Sequence, residues 1–467
     1  MVIAMVLVLI GIAVALIYGV GLKPPKRPTA PKVASRTVIA QVINGQQTIN
    51  AGLAAGRLMV VEGQDIWIAW SVTDATCSRI CITHSADAGL HFDPTVDLTP
   101  GFHSTRCLQP SLSLNPPASL ALVCVSYGDI PGVGQGSGVK NPQERTSQIQ
   151  VMYLPHRAIV RPGFTFPITW ETQASVSSPM FVSGDLFDAV LFLETTNHTQ
   201  DRLRCWVDSS RLHLKENEVR TVPVDDDPTG APKLGFAAAW SGGKLHVVYA
   251  DGRNSPNQGD LLYYTSVTDP LNGFAPSKLI DPPADKFWQI PPSLTVGSGG
   301  ELLIGSSTVV SHYFPVSYRD KLSRFGVGGL SQVTAYTREP EVWRSTDNGA
   351  TWKPTLEIDD EQVEISSGGV QVAKHGDQVL TAWMENRPVT EAADIRWALT
   401  DRLGSGFTAS SVVNDPPQDG SGEVLYDVAW LPDGSVCALY RDSKPLRATD
   451  HTLVLARSEP IRTKESE

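Results

Sequence analysis

The sequence predicts an all-β body made of one repeated antiparallel unit, preceded by a single membrane-spanning helix. Three observations predict it. Hydrophobicity alternates over short runs along nearly the whole chain, with no 3.6-residue period after residue 36. Similar strand–turn–strand segments recur every 53 to 77 residues. The first 22 residues carry no charged side chain.

Met1–Leu22 is an apolar run that spans about 33 Å as a helix, enough to cross a bilayer core. It has no basic n-region and is followed at once by Lys-Pro-Pro-Lys-Arg, which favours an uncleaved anchor over a cleaved signal. Gly11, Ala15 and Gly19 fall on one helical face, the pattern that lets a second membrane helix approach; Gly- and Ala-rich composition alone gives the same pattern. Residues 23–36 hold four prolines, three lysines and two arginines, and read as a semi-rigid stalk. The positive-inside rule would put this collar, and the body with it, in the cytoplasm. The even count of six cysteines points instead to an extracytoplasmic body, and that is the expectation.

The body, residues 37–458, reads as a closed ring. The best copies of the unit span Leu234–Val267, Gly369–Thr400 and Val424–Ser458, with weaker ones beginning near Arg57, Pro110, Ser177 and Pro292. Three or four short strands per unit, without helices, are the mark of a β-propeller, whose radial closure leaves few sheet edges open. Seven blades fit the starts; six is the alternative. The last unit shows three strands, and 37–43 (TVIAQVI) is an isolated strand expected to complete it. Residues 459–467 read as a charged tail.

Composition limits the function. Charged residues are 19% and hydrophobic residues 41%, so the chain is not disordered. The net charge is −11, and five basic residues lie in the first 36, so the body has no basic face and nucleic acid is not expected as a partner.

Two turns share the pattern Ser-x-Asp-x-Gly-x-x-aromatic: Ser85, Asp87, Gly89 and Phe92, and Ser345, Asp347, Gly349 and Trp352. The Asp accepts turn N–H groups, the Gly supplies a positive φ, and the aromatic packs between sheets. Degenerate versions end at Phe274 and Phe407. These residues resemble the Asp-box (BNR) repeats of the sialidase-like propeller superfamily. The resemblance implies a structural role for the boxes, on the face away from an active site. It also implies, for a sialidase, three arginines, a Tyr–Glu nucleophile pair and an acidic Asp. This chain departs from that set. Tyr426 lies one residue too close to its turn, so strand alternation would face it the wrong way; Arg441 stands where an acid is expected; and no Phe-Arg-Ile-Pro-like segment occurs in the first unit. The expectation is therefore a non-catalytic binding or scaffold module, an accessory subunit of a membrane complex, with an anchored exo-glycosidase of sialidase type as the alternative.

The loops between second and third strands would form the binding face. They carry Asp251 with Arg253, Glu385 with Arg387, and Arg441 with Asp442; each pair also reads as a salt bridge closing its own loop. A long segment at 311–331 mixes Tyr313, Tyr318, Arg319 and Arg324, the composition of an interface hot spot. Partners expected from these features are integral membrane proteins and a saccharide. Cys77, Cys81, Cys107 and Cys124 are close enough in sequence to suggest two disulfides, with buried thiols as the alternative. No cofactor and no metal are expected: the cysteine spacing is irregular for zinc, and the runs Asp225–Asp227 and Asp359–Glu361 read as solvated loops rather than calcium ligands.

Overall fold

The computed structural model describes residues 30–461 except 43–46, 50–55, 75–76, 103–105, 116–118, 128–146, 156–164, 169–173, 186, 197–199, 209–219, 254–260, 281–285, 289–290, 298, 314–333, 358–365, 388–391, 401–409, 415–422 and 445–449. The expected anchor, including Gly11, Ala15 and Gly19, lies outside the described residues. No helix among those that are described is long and apolar enough to cross a membrane.

The described strands form seven four-stranded antiparallel units. Blade I comprises Met59–Glu62, Asp65–Asp74, Ser78–Ser85 and Val96–Asp97. Blade II runs over Arg106–Asn115, Ser119–Tyr127, Ser147–Pro155 and Thr165–Pro167, and blade III over Ser175–Ser183, Asp188–Thr196, Gln200–Asp208 and Arg220–Pro223. Blade IV holds Lys233–Ser241, Lys244–Asp251, Leu261–Val267 and Lys278–Leu279, and blade V holds Ser293–Val296, Leu302–Tyr313, Thr334–Ser345 and Lys353–Glu357. Blade VI is Ser366–His375, Gln378–Arg387, Ala392–Leu399 and Ser411–Val412. Blade VII joins Val424–Trp430, Val436–Lys444 and Asp450–Ser458 to Val33–Val42. Six blades would leave one of these units unassigned.

Each neighbouring pair of blades shares a dry core. Leu122 and Ile82 meet between I and II, Phe192 and Val151 between II and III, Leu191 and Val247 between III and IV. Tyr264 and Ile304 pack between IV and V, Leu303 and Val372 between V and VI, Trp397 and Leu425 between VI and VII. Leu439 and Leu455 of blade VII pack on Ile66 and Ile68 of blade I, so the wheel has no open gap. Each fully buried aliphatic side chain contributes about 1.5–3 kcal/mol.

Val33–Val42 runs antiparallel to Asp450–Ser458, from Val33 opposite Ser458 to Val42 opposite His451. The stalk expected over 23–36 is therefore too long at its end. Val33 packs on the VI–VII core, the Pro31 carbonyl accepts hydrogen bonds from Trp397 Nε1 (3.0 Å) and Ser411 Oγ (2.5 Å), and Arg36 donates to the carbonyls of Val413 and Asn414. The tail also begins later than expected, because Ile461 packs on the same core and donates its N–H to Gly434.

All six cysteines are free thiols, which corrects the expected disulfides. Cys77 and Cys81 lie four residues apart along extended chain, about 13 Å, far beyond a disulfide's reach. Cys107 and Cys124 are buried together in the I–II core. Burial pushes the Cys81 thiol up to about 11 and the Cys437 thiol to about 12, so both are inert thiols.

Candidate functional site

Both Asp-box turns have one geometry. Ser85 Oγ donates to Asp87 Oδ1 (2.8 Å) and accepts from the Gly89 N–H (2.9 Å), while the His91 N–H reaches Asp87 Oδ1 (2.8 Å). Ser345, Asp347, Gly349 and Thr351 repeat these contacts at 2.8 Å, and the Thr351 hydroxyl adds one to Asp347 Oδ2 (2.6 Å). The Thr351 hydroxyl and N–H, with Ser345, hold the Asp347 carboxyl at about 2. Burial opposes the same effect at Asp87, where His91 and Ser85 still hold the carboxyl at about 2. Phe92 packs on the VII–I core and Trp352 on the IV–V core, edge-on to Tyr264 at 5.3 Å. The turns thus clamp neighbouring blades.

The boxes also orient the wheel. Ser85 lies opposite Ile66 and Ser345 opposite Leu302, so both turns share an end with the hairpins joining first to second strands. The second strands run away from that end and finish at residues such as Asp74, Asp251 and Arg387. Asp251, Arg253, Glu385 and Arg441 accordingly sit toward the opposite, loop face.

Among the described residues, the structure does not gather Asp251, Arg253, Glu385 and Arg441 into one site. Asp251 and Arg253 pair (Nη2 to Oδ2, 2.8 Å), and Arg253 also binds Asp226 (2.5 Å) and covers the Tyr263 ring at 4.4 Å. Beneath them Lys233 Nζ lies 3.4 Å from Asp227, 3.6 Å from Asp251 and 3.9 Å from Asp225, with all four side chains at 0–1% exposure. Asp225 and Asp227 are therefore not solvated, as their sequence suggested. Burial raises the Asp225 carboxyl, and Lys233 opposes that rise. Against burial, the Thr229 hydroxyl and N–H hold Asp227 low. This network locks blade III to blade IV. Glu385 is ion-paired with Arg396 across the sheet, and the Arg387 side chain lies outside the described residues. Arg441 donates to the Ile49 carbonyl (3.1 Å), joining blades VII and I. Tyr313 ends a blade V strand; its side chain, with Tyr318, Arg319 and Arg324, lies outside the described residues. No group of three or more potential metal ligands occurs among the described residues.

A feature absent from the sequence reading appears on the inner strands. All seven are interrupted, six of them about four residues up the partner strand from the hairpin and blade IV about six residues up. Blades II, III and VI break between Leu108 and Ser111, Ser177 and Met180, and Gly368 and Gln371. Blades IV and VII bulge at Leu234 and Tyr426. In blades I and V the inner strand splits, into Gln47–Ile49 and Met59–Glu62, and into Lys286–Trp288 and Ser293–Val296. Gln109 (φ 52°) and Ser178 (φ 53°) sit in the left-handed region at two breaks, and Gln109 Oε1 accepts the Ser178 N–H (2.7 Å). Opposite the blade V break, the buried Ser306 and Ser307 hydroxyls have no hydrogen-bond partner among the described residues. Bulges re-aim side chains and are common beside binding sites. Tyr426 is the extra residue of one, so alternation does not decide its facing; it is half-buried against the VII–I core. The adjacent Asp427 carboxyl accepts the N–H of Met59 (3.2 Å) and of Val428 (2.9 Å). Burial raises it, against the Arg57 charge.

Below the breaks the inner strands enclose an axial cavity of about 610 Å³, lined by residues from all seven blades. Its lining includes Arg57, Trp240, Lys374 and Trp430.

No family model matches the chain, and no curated protein matches it. The Asp-box resemblance therefore rests on the two turns themselves. Among solved structures, a polysaccharide lyase described as PL25-Ulvanlyase, bound to -[GlcA(1-4)Rha3S]-, aligns with a TM-score of 0.54 and 10% identity, over 91% of this chain and 94% of that one. The polysaccharide lyase Uly1 aligns with a TM-score of 0.54 and 9% identity, over 92% and 99%. The Trypanosoma rangeli sialidase in complex with sialic acid aligns more loosely, with a TM-score of 0.41 and 12% identity, over 94% of this chain and 58% of that one. The likeness to the two lyases is one of fold, the all-β propeller described above.

Proposed function

We propose that this chain is a membrane-tethered, non-catalytic propeller that holds polysaccharide on its loop face and docks integral membrane proteins. The observation that carries it is the interruption of all seven inner strands, which breaks the regular sheet edge facing the axis toward the loop end. The fold likeness to polysaccharide lyases supports saccharide as the ligand class. The pairing of Arg253 with Asp251 and Asp226, and of Arg396 with Glu385, supports binding over acid–base chemistry, because these groups already serve each other. The apolar run Met1–Leu22 supplies the tether, with the body extracytoplasmic. Full-length protein in mild detergent, passed over immobilised ulvan and over a neutral glucan, tests this. The proposal expects salt-sensitive retention on ulvan, no product from ulvan, and co-purification of membrane proteins from native membranes. Absence of retention on any polysaccharide overturns it.

An exo-glycosidase of sialidase type is the second reading. It is favoured by Tyr426, which a bulge frees from the alternation that would face it away, beside a buried Asp427. Hydrolysis of a fluorogenic sialoside that disappears in Tyr426→Phe establishes this reading in place of the first.

A further inference from the structure

The described chain enters the wheel on the Asp-box face. Val33, the first residue of the closing strand, lies opposite Ser458. The next residue on that partner strand, Arg457, faces Cys437, just above the blade VII hairpin that joins Trp430 to Val436. From Val33 the closing strand runs away from this end, and Val42, opposite His451, finishes toward the loop face. The contacts around the entry fit this direction. The Thr37 hydroxyl donates to the Gly89 carbonyl of the first Asp box (3.2 Å). The Glu459 N–H donates to the Lys32 carbonyl (2.9 Å), and the Ile461 N–H donates to the Gly434 carbonyl in the hairpin (2.9 Å). The entry is also pinned: Pro31 is buried, and its carbonyl accepts from both Trp397 Nε1 and Ser411 Oγ.

The direction of entry limits how a tethered wheel can stand. Nine chain steps separate Leu22, the last residue of the apolar run, from Pro31, and they reach at most about 32 Å. The second strand of blade III, Asp188–Thr196, has nine residues and rises about 27 Å from one face toward the other. A tether of this reach, leaving from the Asp-box face, keeps that face toward the bilayer without being stretched. To bring the loop face down, the same segment would have to run extended along the blade wall. That path takes nearly its whole reach and its conformational freedom. Charge keeps the near face from lying flat on lipid. Glu62, Asp185, Asp377 and Asp433 are exposed on four of its hairpins, so an anionic lipid surface repels it at close range.

We infer that the wheel is held with its Asp-box face toward the bilayer and its loop face away from it. The inference rests on the tether proposed above, and it assigns that reading's membrane-protein partners to the Asp-box face. Energy transfer to a headgroup-labelled acceptor lipid tests it, on full-length protein reconstituted into phosphatidylcholine vesicles. Cys77→Ser removes the one cysteine that is not buried. A donor is then attached in blade III, at Asp185→Cys on the Asp-box hairpin or at Gln200→Cys on the loop-face turn, both exposed positions. The donor at 185 lies closer to the lipid plane than the donor at 200 by about 27 Å, the depth of the blade. Gln64→Cys, on the Asp-box hairpin of blade I, repeats the short distance, which separates a facing wheel from one tipped on edge. Thermal midpoints equal to that of the parent protein show that each label reports the native wheel. Equal distances from 185 and 200, or a shorter one from 200, overturn the inference while the tether stands. A long distance at 64 beside a short one at 185 means a tipped wheel and also overturns it. Failure of the protein to float with the vesicles refutes the tether itself, and the inference with it.

Discussion

Gly349→Ala tests whether the second Asp-box turn clamps blade V to blade IV. Gly349 has φ +85°, and a Cβ there would stand 2.0 Å from Tyr264 Oη and 2.1 Å from Cζ. Tyr264 cannot step aside cheaply. Its hydroxyl contacts His246 Nδ1 (2.8 Å), donates to the Asn348 carbonyl (3.1 Å), and its ring is buried in the IV–V core. A left-handed conformation costs an L-residue about 1–2 kcal/mol. Forcing an extra methyl into packed surroundings costs about 1–3 kcal/mol more. The variant should therefore lose about 2–5 kcal/mol. Gly243→Ala isolates the first contribution, because Gly243 has φ +71° and nothing lies within 4 Å of its Cβ position. That control should lose about 1–2 kcal/mol. Urea midpoints for the two variants, followed by tryptophan fluorescence, give the comparison. Equal losses, or a smaller loss at Gly349, refute the clamp.

Removing Lys233 by Lys233→Met leaves Asp225, Asp227 and Asp251 buried without their shared cation, and should cost about 3–5 kcal/mol in the same urea assay. Leu455→Ala should cost about 2–5 kcal/mol, since Leu455 is buried between the closing blade and blade I; a loss under 1 kcal/mol would deny that packing. Asp87 and Asp347 have carboxyls held at about 2 in the fold, below the ordinary value of 3.8, so they add stability above pH 4 that falls away as pH drops toward 2. Asp347→Asn should flatten that acid limb, and an unchanged pH profile of the thermal midpoint would contradict the assignment. Thiol titration of the unfolded chain should return six groups with or without reductant; fewer without reductant would restore a disulfide.

Much of the wheel was legible because strands that bury one face announce themselves by alternation. LGFAAAW and LHVVYADGR read as a hairpin, and they pair from Gly235–Ala250 to Ser241–Lys244. The Asp boxes were equally plain, because their contacts are local and each residue type has one purpose. What the sequence concealed depends on residues distant along the chain. Asp225 and Asp227 looked like a solvated run because Asp251, which completes their burial with Lys233, lies more than twenty residues away. Proximity in sequence suggested Arg387 for Glu385, whereas its ion pair with Arg396 on the next strand was hidden. A bulge shifts register without altering composition, so the break at Tyr426 could not be seen, and alternation does not decide that residue's facing. Trp240 and Trp430 read only as strand residues, because the cavity they line exists only once the ring closes.

Residue-resolved amide hydrogen exchange across Val33–Val42 addresses the sealed ring most directly. If this strand completes blade VII, its paired amides exchange as slowly as those of Val436–Lys444 and open together with them. Exchange at free-chain rates over 33–42, with blade VII otherwise protected, would contradict it.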